Sequence, residues 1–296
     1  MNKKQVSIGV FVYNEEKNIN YVLNALLKQK EDKIKLGEII VVSSACTDNT
    51  ENIVRDFTKK NKRIKLIVQK KREGKASAIN LFLKYAKSPL VVIESGDTIP
   101  KQDCIENLCR PFLEEEKIGL TGARAMPTND KKTVLGGIIH YWWWMHNELP
   151  RFGEMIGFRR ELVPQISNKT AVDEAYIEAI VLAKGYKCKQ VSNAVLENHG
   201  AESFKDLVKQ RKRIYIGHKR LSQEKKYLVK SFDNKKLLKL TFKYLREERS
   251  LRTIFSIFVG ILIEIYSRVL GIWDLYVRNM NPYAWDIATS TKKVAP

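Results

Sequence analysis

The sequence has few of the residues that build disulfide scaffolds or metal ribbons. Its four cysteines are widely scattered and form no Cys-x-x-Cys pair. This spacing argues against a disulfide framework or a zinc ribbon and is typical of proteins from a reducing cytosol. We also expect no signal peptide, because Met1-Asn2-Lys3-Lys4 leads directly into a β-rich run. The sequence therefore predicts a cytoplasmic protein.

The sequence also lacks an uninterrupted membrane-spanning segment and a stacking platform for nucleic-acid bases. The most apolar stretch, residues 254–277, is interrupted by Glu264, Arg268 and Asp274, and these charges argue against a membrane-spanning helix. The run Tyr141-Trp142-Trp143-Trp144 is not interleaved with basic residues, so it does not predict a platform for stacking nucleic-acid bases. A nucleic-acid-binding protein that uses the basic helix and tail is therefore a distant alternative, and no nucleic-acid partner is expected.

The chain instead carries a large surplus of positive charge. Its 296 residues include 53 Lys and Arg against 33 Asp and Glu, which gives a formal net charge of +20. Such a surplus favours phosphate-rich partners, such as a nucleotide or anionic lipid headgroups, although a solvated lysine-rich surface also explains it. The length and a hydrophobic content of 44% indicate one large domain, or one domain with an appendage, that buries a substantial core.

The first hundred residues alternate between short apolar runs and helical patterns. Runs at 6–12, 38–42, 64–68 and 90–93 predict four buried strands, with a helical pattern after each of the first three. This alternation predicts an α/β fold with a doubly wound, mostly parallel sheet and the strand-end loops along one edge. A nucleotide site is the default expectation at that edge.

The fourth strand ends in an acidic turn, Glu94-Ser95-Gly96-Asp97. Carboxylates at this place in an open α/β sheet can converge on a divalent cation, which then holds a diphosphate. The simpler alternative is a strand exit in which Asp97 caps the next helix. The motifs in the rest of the chain favour the first interpretation.

The second half of the chain predicts a less regular series of elements. These are a strand at 122–125, a helix at 133–148, a strand leading into a helix start at 153–160, a helix opened by Asp173-Glu174, a strand at 191–197 and a basic helix at 206–221. The three consecutive tryptophans at 142–144 cannot share one helical face. Part of this run must therefore face a cleft, a membrane or another domain.

The tail begins near Ser222 and combines a charged segment at 225–249 with an amphipathic helix at 254–277. The apolar face of that helix consists of Phe255, Phe258, Leu262, Tyr266, Val269 and Trp273. The opposite face carries Ser256, Gly260, Glu264, Ser267 and Gly271. Such a helix, preceded by lysines, suits a membrane surface or a partner helix. Packing back on its own domain is the alternative.

Taken in order, these motifs resemble the inverting glycosyltransferases of family 2, in particular membrane-associated archaeal or bacterial members. The resemblance covers about residues 6–221. It implies a GT-A fold over residues 1–221, with a nucleotide-binding half at about 1–100 and an acceptor half at about 101–221. A basic and amphipathic helical tail is expected over residues 222–296.

The resemblance implies nucleotide-binding residues in three loops. Val12, Tyr13, Asn14 and Glu15 resemble the turn that lines the base and ribose of a nucleotide sugar. Ser44 stands where relatives usually place a carboxylate that contacts the base. The segment from Gly74 to Asn80 matches the Gly-Lys-x-x-Ala-x-Asn motif, so Lys75 is implied to reach the nucleotide from a helix start that aids phosphate binding.

The resemblance also implies a divalent metal cofactor, Mn²⁺ or Mg²⁺. Ser95 and Asp97 fill the Asp-x-Asp motif of the family without its first aspartate. Asp97 is therefore the implied metal ligand and, with Ser95, part of the nucleotide-sugar site. Glu94 and His199 are further candidate ligands, although His199 also fits an ordinary turn histidine.

The reaction residues come from the acceptor half. Asp173-Glu174 resembles the Glu-Asp pair of the family with the two acids exchanged, so either acid is a candidate general base. Residues implied at the diphosphate and acceptor are Arg160, Gln210, Arg211 and Arg213, the last three from a segment that resembles Gln-x-x-Arg-Trp. A basic solvated helix is the simpler explanation of that segment.

The function implied is transfer of a sugar from a UDP- or GDP-linked donor to a hydroxyl acceptor, for which a lipid-linked or cell-surface glycan is one candidate. A carboxylate takes the proton of the acceptor, and a metal ion with basic side chains assists departure of the diphosphate. The enzyme is expected at the inner face of the cell membrane as a peripheral protein. The alternative is a nucleotide-sugar-binding protein with weak or no catalysis.

Overall fold

The computed structural model describes residues 3–149 and 152–284, so Met1, Asn2 and the end of the predicted tail (285–296) lie outside the described residues. The eight strands of the sheet are β1 (Lys4–Val12), β2 (Ile34–Ser44), β3 (Ile64–Gln69), β4 (Leu90–Ser95), β5 (Thr98–Pro100), β6 (Ile118–Pro127), β7 (Met155–Arg159) and β8 (Lys187–Asn198). They lie in the order β3-β2-β1-β4-β7-β6-β8-β5.

The α-helices are α1 (Ile19–Leu27), α2 (Thr50–Lys60), α3 (Lys75–Tyr85), α4 (Cys104–Cys109), α5 (Pro111–Glu114), α6 (Val134–Glu148), α7 (Asp173–Ala183), α8 (Phe204–Lys225), α9 (Asn234–Glu247) and α10 (Leu251–Ile272). Short 3₁₀ helices lie at Arg160–Leu162 and Lys230–Phe232, and α10 continues into a π-helical turn at Trp273–Val277.

The N-terminal half is a parallel sheet covered on both faces. Strands β3, β2, β1 and β4 pair in parallel. Helices α1, α2 and α4 enclose one apolar cluster with the sheet, and α3 and α7 enclose a second cluster on the other face. Strands buried on both faces are continuously apolar, which explains the uninterrupted apolar runs of these strands in the sequence. The prediction of a doubly wound sheet is confirmed.

The second half of the sheet is mixed rather than parallel. Strand β7 runs antiparallel to both β4 and β6, and the three-residue β5 runs antiparallel to β8. Only β6 and β8 pair in parallel in this half. Because β7 is reversed, its carboxyl end lies at the edge where β4 begins, with Arg159 opposite Leu90. This reversal decides which predicted residues reach the site.

The three tryptophans of α6 pack in three directions. Trp142 lies under the Arg211 guanidinium of α8, whose carbon is 4.7 Å from the ring centroid. Trp143 packs against the core cluster on the α1 face of the sheet. The Trp144 ring lies 4.9 Å from the Tyr244 ring of α9. The run therefore connects the sheet domain to the helices that follow it.

Helix α10 packs on the domain through its small and polar residues. A Cβ on Gly260 would lie 3.2 Å from Ile138 of α6, and one on Gly271 would lie 2.7 Å from Tyr215 of α8. The large apolar residues on the opposite face are all at least half exposed: Phe255, Phe258, Leu262, Tyr266, Val269 and Trp273. The helix thus contacts its own domain and leaves its apolar face outward.

The acidic side chains of α10 and of the π-helical turn that follows it pair with basic residues. Glu264 pairs with Arg211 of α8 at 2.7 Å and with Arg268 at 2.8 Å. Asp274 pairs with Lys212 of α8 at 2.5 Å and with Arg278. By length and composition alone, the helical stretch Leu251–Val277 is long enough and apolar enough to cross a membrane, and about a third of its most apolar window is buried in the protein.

Candidate active site

Two helix starts bring opposite charges together beyond the carboxyl ends of β1 and β4. Lys75 opens α3, while Asp173 and Glu174 open α7. The Lys75 Nζ atom lies 2.6 Å from Glu174 Oε1, 3.2 Å from Asp173 Oδ2 and 3.3 Å from Ser95 Oγ at the end of β4. The residues of three separate predicted motifs therefore meet at one point.

Three more charged side chains surround this ion pair. The Arg213 guanidinium of α8 interacts with the charges of Asp97, Glu154, Asp173 and Glu174. Glu154, in the loop before β7, interacts in turn with Asp97 and Lys75. Four carboxylates therefore share the site with two cationic side chains, which leaves two negative charges when all are ionised.

The electrostatics separate the two acids at the start of α7. Burial raises the pKa of Asp173, and the neighbouring Glu174 charge raises it further. Burial also opposes ionisation of Glu174, but the Lys75 charge and hydrogen bond outweigh it and lower the pKa of Glu174. Burial alone would lower the pKa of Lys75, whereas the charges of Asp173 and Glu174 raise it. At neutral pH, Lys75 and Glu174 therefore form an ionised pair.

Asp97 lies in a turn that packs closely on the end of β1. A Cβ on Gly96 would lie 2.7 Å from a side-chain carbon of Val12 and 3.1 Å from the carbonyl oxygen of Phe11, so only glycine fits without a shift. Burial raises the pKa of Asp97, opposed by the Lys75 charge. The turn thus fixes Asp97 beside the lysine.

Glu94 lies near the end of β4, and its charge interacts with those of Glu154, Asp97 and Lys75. It is fully buried, and strand alternation places it on the face of Val92, opposite Val91 and Ile93. Its Oε1 accepts a short hydrogen bond from Thr98, and its Oε2 is buried without a hydrogen-bond partner. Burial raises the pKa of Glu94 well above its usual range.

Hydrogen bonds join the loops that follow β1 and β2. Asn14 has a left-handed backbone, φ 54°, and its Oδ1 accepts a 2.8 Å hydrogen bond from the Thr47 amide. The Glu15 amide donates to Thr50 Oγ1 at 2.8 Å. Ser44 donates to Gln69 Oε1 at 2.7 Å. The two loops form one side of the site.

An aromatic face lies at this side of the site. The guanidinium carbon of Arg72 lies 4.1 Å from the centroid of the Tyr13 ring. An aromatic ring and a guanidinium plane are both surfaces on which a nucleobase stacks. Arg72 was not selected from the sequence, where it stands in a run of basic residues without a distinguishing spacing.

Two predicted arginines do not reach the cluster. Arg160 donates from Nε to the Ser88 carbonyl at 3.1 Å, at the opposite edge of the sheet, because β7 runs antiparallel to β4. Arg211 pairs with Glu264 instead, since residues two apart on a helix point in nearly opposite directions and Arg213 points into the site. The expected place of both side chains at the diphosphate or acceptor is therefore corrected.

Gln210 and His199 differ in their position. Gln210 lies one turn before Arg213 on α8 and shares its face, half-buried. His199 follows β8, and its two ring nitrogens lie 2.9 Å from Thr128 Oγ1 and 3.0 Å from Glu202 Oε1. These contacts agree with the second of the two predicted alternatives, an ordinary turn histidine.

Glu154 is a site residue that the sequence analysis missed. Its backbone is left-handed, with φ 59°, which is uncommon for a residue that is not glycine. Burial and the charge of Asp97 raise the pKa of Glu154 to about 7. No spacing or motif distinguishes this glutamate in the sequence, and only the fold brings it to Asp97.

The residues present fit a divalent cation that is shared with a bound diphosphate. Within residues 3–149 and 152–284, no group of three or more His, Cys, Asp or Glu side chains is arranged to hold an ion without help. Asp97 offers a hard oxygen ligand in a site with surplus negative charge. Such a site suits an ion whose other ligands are phosphate oxygens and water.

Comparison with known proteins agrees with this geometry. The family model described as glycosyl transferase family 2 matches residues 7–166. The probable glycosyltransferase YdaM of Bacillus subtilis is 24% identical over 229 residues, which is 71% of this chain and 54% of that protein. Glycosyltransferase GlyG of Streptococcus pneumoniae is 31% identical over 111 residues, 38% of this chain and 36% of that protein. The chain thus spans about half or less of the length of these relatives.

Solved structures share the fold. The mannosyltransferase PcManGT from Pyrobaculum calidifontis, in complex with GDP-Man and Mn²⁺, superposes with a TM-score of 0.63 at 19% identity, covering 95% of this chain and 82% of that one. Glucosyl-3-phosphoglycerate synthase from Mycobacterium tuberculosis, in complex with Mn²⁺, UDP and phosphoglyceric acid, gives a TM-score of 0.53 at 18% identity over 72% of this chain and 77% of that one. The predicted GT-A fold is confirmed, and the chain belongs to glycosyl transferase family 2.

Proposed function

We propose that the protein is an inverting, nucleotide-sugar-dependent glycosyltransferase that moves a sugar to a hydroxyl acceptor. The observation that carries this proposal is the meeting of Lys75, Asp97, Asp173, Glu174 and Arg213 at the carboxyl edge of the sheet. The titles of the similar structures name GDP-Man and UDP, each with Mn²⁺, which supports a donor of this chemical class and a divalent metal cofactor. Residues 1–221 form the transferase domain of this proposal.

The donor is proposed to lie across the loops of β1, β2 and β4. Tyr13 and Arg72 offer stacking surfaces for the base. Ser44 is less available to the base because its hydroxyl already donates a hydrogen bond to Gln69. Lys75 and the start of α3 supply positive charge for the diphosphate. Asp97 would hold Mn²⁺ or Mg²⁺, which when bound would supply positive charge at the diphosphate.

Glu174 is the better placed of the two candidate bases. Its side chain retains 15% exposure, against 3% for Asp173, so an acceptor hydroxyl can approach it more readily. In this role its carboxylate takes the hydroxyl proton as the oxygen attacks C1 of the sugar. Asp173 then serves to hold Lys75, and Arg213 stabilises the negative charge of the leaving group.

The roles of the two acids can be separated with isosteric variants. We expect Glu174→Gln to lower kcat by about 10²–10⁴-fold while donor binding is retained, because a general base acts only in the chemical step. Asp173→Asn should weaken donor binding with a smaller effect on kcat. Steady-state kinetics with UDP- and GDP-sugars and Mn²⁺ make the comparison. Equal kcat for Glu174→Gln and the wild type would reject Glu174 as the base.

The alternative of a nucleotide-sugar-binding protein without catalysis predicts a different result. The same donors would then raise the melting temperature, because ligand binding to the native state stabilises it. No sugar would be transferred or hydrolysed, and substitutions at Glu174 and Asp173 would change binding alone. The kinetic comparison therefore tests both functions with the same variants.

A second proposal concerns the tail, residues 222–296, which we place at an anionic membrane surface as a peripheral anchor. The outward face of α10 carries exposed apolar side chains from Leu251 to Ile272. Helix α9 exposes a face on which Leu238 and Phe242 lie among basic residues: Lys235, Lys239, Lys243 and Arg246. Apolar side chains flanked by lysine and arginine match an interface of acyl chains and anionic headgroups. In this proposal the enzyme lies at the cytoplasmic face of the cell membrane as a peripheral protein.

Vesicle sedimentation tests this anchor. The double variant Phe255→Ser, Phe258→Ser should reduce binding to phosphatidylglycerol-containing vesicles by more than about tenfold, since each exposed phenylalanine gains burial there. Leu113→Ser, which alters an exposed leucine far along the chain on α5, serves as the control. Concentration-dependent dimerisation that the double variant abolishes, with no vesicle binding, would assign the face to a second copy of the chain instead.

A further inference from the structure

The chain turns back toward the site after the π-helical turn. Asn279 has a left-handed backbone, φ 48°, and the Met280 amide donates to the Asp274 carbonyl at 2.9 Å, which ends the helix. We call the segment that follows, residues 279–283, the C-terminal strap. It leaves the exposed face of α10 and returns along the domain.

Two side chains hold the strap on the domain. Arg220 of α8 donates from Nη2 to the Met280 carbonyl at 3.0 Å and to Asn279 Oδ1 at 3.3 Å. Asn281 donates from Nδ2 to the Lys169 carbonyl at 3.1 Å. Lys169 stands four residues before Asp173, so this contact brings the strap to the loop that leads into α7.

The far end of the strap reaches the start of α3. A Cβ on Gly74 would lie 2.5 Å from the carbonyl oxygen of Tyr283, and the φ of Gly74 is +88°. Gly74 is the N-cap of α3 and directly precedes Lys75. The strap therefore spans the gap between the two helix starts that carry the ion pair of Lys75 with Asp173 and Glu174.

The chemistry of the contact resembles that of a bound anion. The N-terminus of an α-helix attracts negative charge and phosphate oxygens. The Tyr283 carbonyl brings a partially negative oxygen to this end of α3, where the proposed donor would place its diphosphate. The strap would therefore compete with the diphosphate of the proposed donor for this end of α3.

We propose that the C-terminal strap is an autoinhibitory segment that a nucleoside diphosphate must displace from the start of α3. This inference rests on the proposed donor site. The free enzyme is then closed for most of the time, and donor affinity is reduced by the fraction of molecules in which the strap is in place. The strap opens when the diphosphate binds.

Hydrogen exchange of the full chain tests the displacement with UDP and GDP, each with Mn²⁺. We expect amides at residues 74–78 to gain protection and amides of the strap to exchange at least about threefold faster with the nucleotide that binds. Protection at 74–78 with unchanged or slower exchange in the strap overturns the inference and leaves the donor site intact. No protection at either place overturns the donor site together with the inference.

Substitutions in the ties of the strap give an independent test. The double variant Arg220→Gln, Asn281→Ala should bind UDP or GDP with a Kd about fivefold lower, with kcat unchanged, because it raises the competent fraction. Lys209→Gln, an exposed charge change on the same helix, is the matched control and should match the wild type. A Kd that is unchanged or higher in the double variant contradicts autoinhibition.

Discussion

Lys75 forms ion pairs with two carboxylates of the site, and the effect of removing its charge on stability can be estimated. Its ammonium group lies 2.6 Å from Glu174 and 3.2 Å from Asp173, and the side chains are 18%, 15% and 3% exposed. Breaking a buried pair by removing one partner costs about 3–5 kcal/mol because the other charge stays buried. Since Lys75 keeps some exposure, we expect Lys75→Gln to lower the free energy of unfolding by about 3 kcal/mol at pH 7.

The effect should depend on pH with a defined sign. The pKa of Lys75 is raised from 10.5, so its contribution is complete below that value and is lost only at higher pH. The pKa of Glu174 is lowered from 4.5, so its contribution is present above that value and is lost as the pH falls through the lower folded pKa. The difference between wild type and variant should be full from about pH 5 to 10 and smaller below about pH 4.

Urea denaturation at pH 7 and pH 3.5 measures this difference directly. Lys84→Gln removes an exposed charge from the same helix and should change the free energy of unfolding by less than about 0.5 kcal/mol. If Lys75→Gln is as stable as Lys84→Gln at pH 7, or if its deficit does not shrink in acid, the ion pair is not what holds α3 to α7.

Three further predictions concern the appendage and the missed glutamate. Burial opposes ionisation of Glu264, but its two arginine partners lower its pKa to about 2. Glu264→Gln should therefore lower the free energy of unfolding by roughly 2–3 kcal/mol at pH 7 and by little at pH 2, which denaturation at both pH values measures. Gly271→Ala should cost about 1–3 kcal/mol because its Cβ meets Tyr215, whereas Gly260→Ala, with a looser contact, should be close to neutral; equal melting temperatures would contradict this packing. Burial and the charge of Asp97 raise the pKa of Glu154 to about 7. Ionisation of Glu154 therefore lowers the stability of the folded protein as the pH rises from 4.5 through 7. We expect Glu154→Gln to stabilise the metal-free protein by roughly 1–3 kcal/mol at pH 8 but not at pH 4. A variant that is no more stable than the wild type at pH 8 would place Glu154 outside the cluster.

The N-terminal half of the fold was predictable from the sequence because its strands are buried on both faces. Their apolar runs are uninterrupted, and a parallel sheet places all of their carboxyl ends at one edge. Lys75 and Asp97 meet for that reason. The charged start of α7 and Arg213 of α8 join them, as the order of the motifs implied.

The errors have equally specific causes. Strand direction is not encoded in an apolar run, so the reversal of β7 that moves Arg160 to the far edge was not readable. Helical periodicity identifies two faces of α8 but not which of them contacts the tail. Arg211 was therefore predicted at the diphosphate or acceptor, whereas it pairs with Glu264 of α10. The three-residue strand β5 is too short to produce a pattern.

Helix α10 shows the limit of hydrophobic periodicity most clearly. An amphipathic helix of a globular protein usually buries its apolar face. Here glycine and serine let α10 approach α6 and α8 closely, and Glu264 and the buried Asp274 pair across the contact. Only the packing partners decide which face turns inward.

Nucleotide release shows whether Asp97 and its neighbours bind a nucleotide sugar and promote its transfer. UDP- and GDP-sugars are incubated with the full chain and Mn²⁺, and the freed nucleoside diphosphate is measured for the wild type and Asp97→Asn. We expect metal-dependent release from donors of one base by the wild type, reduced at least about a hundredfold in Asp97→Asn. Release that is equal in the two proteins, or that proceeds fully without a divalent ion, would contradict it.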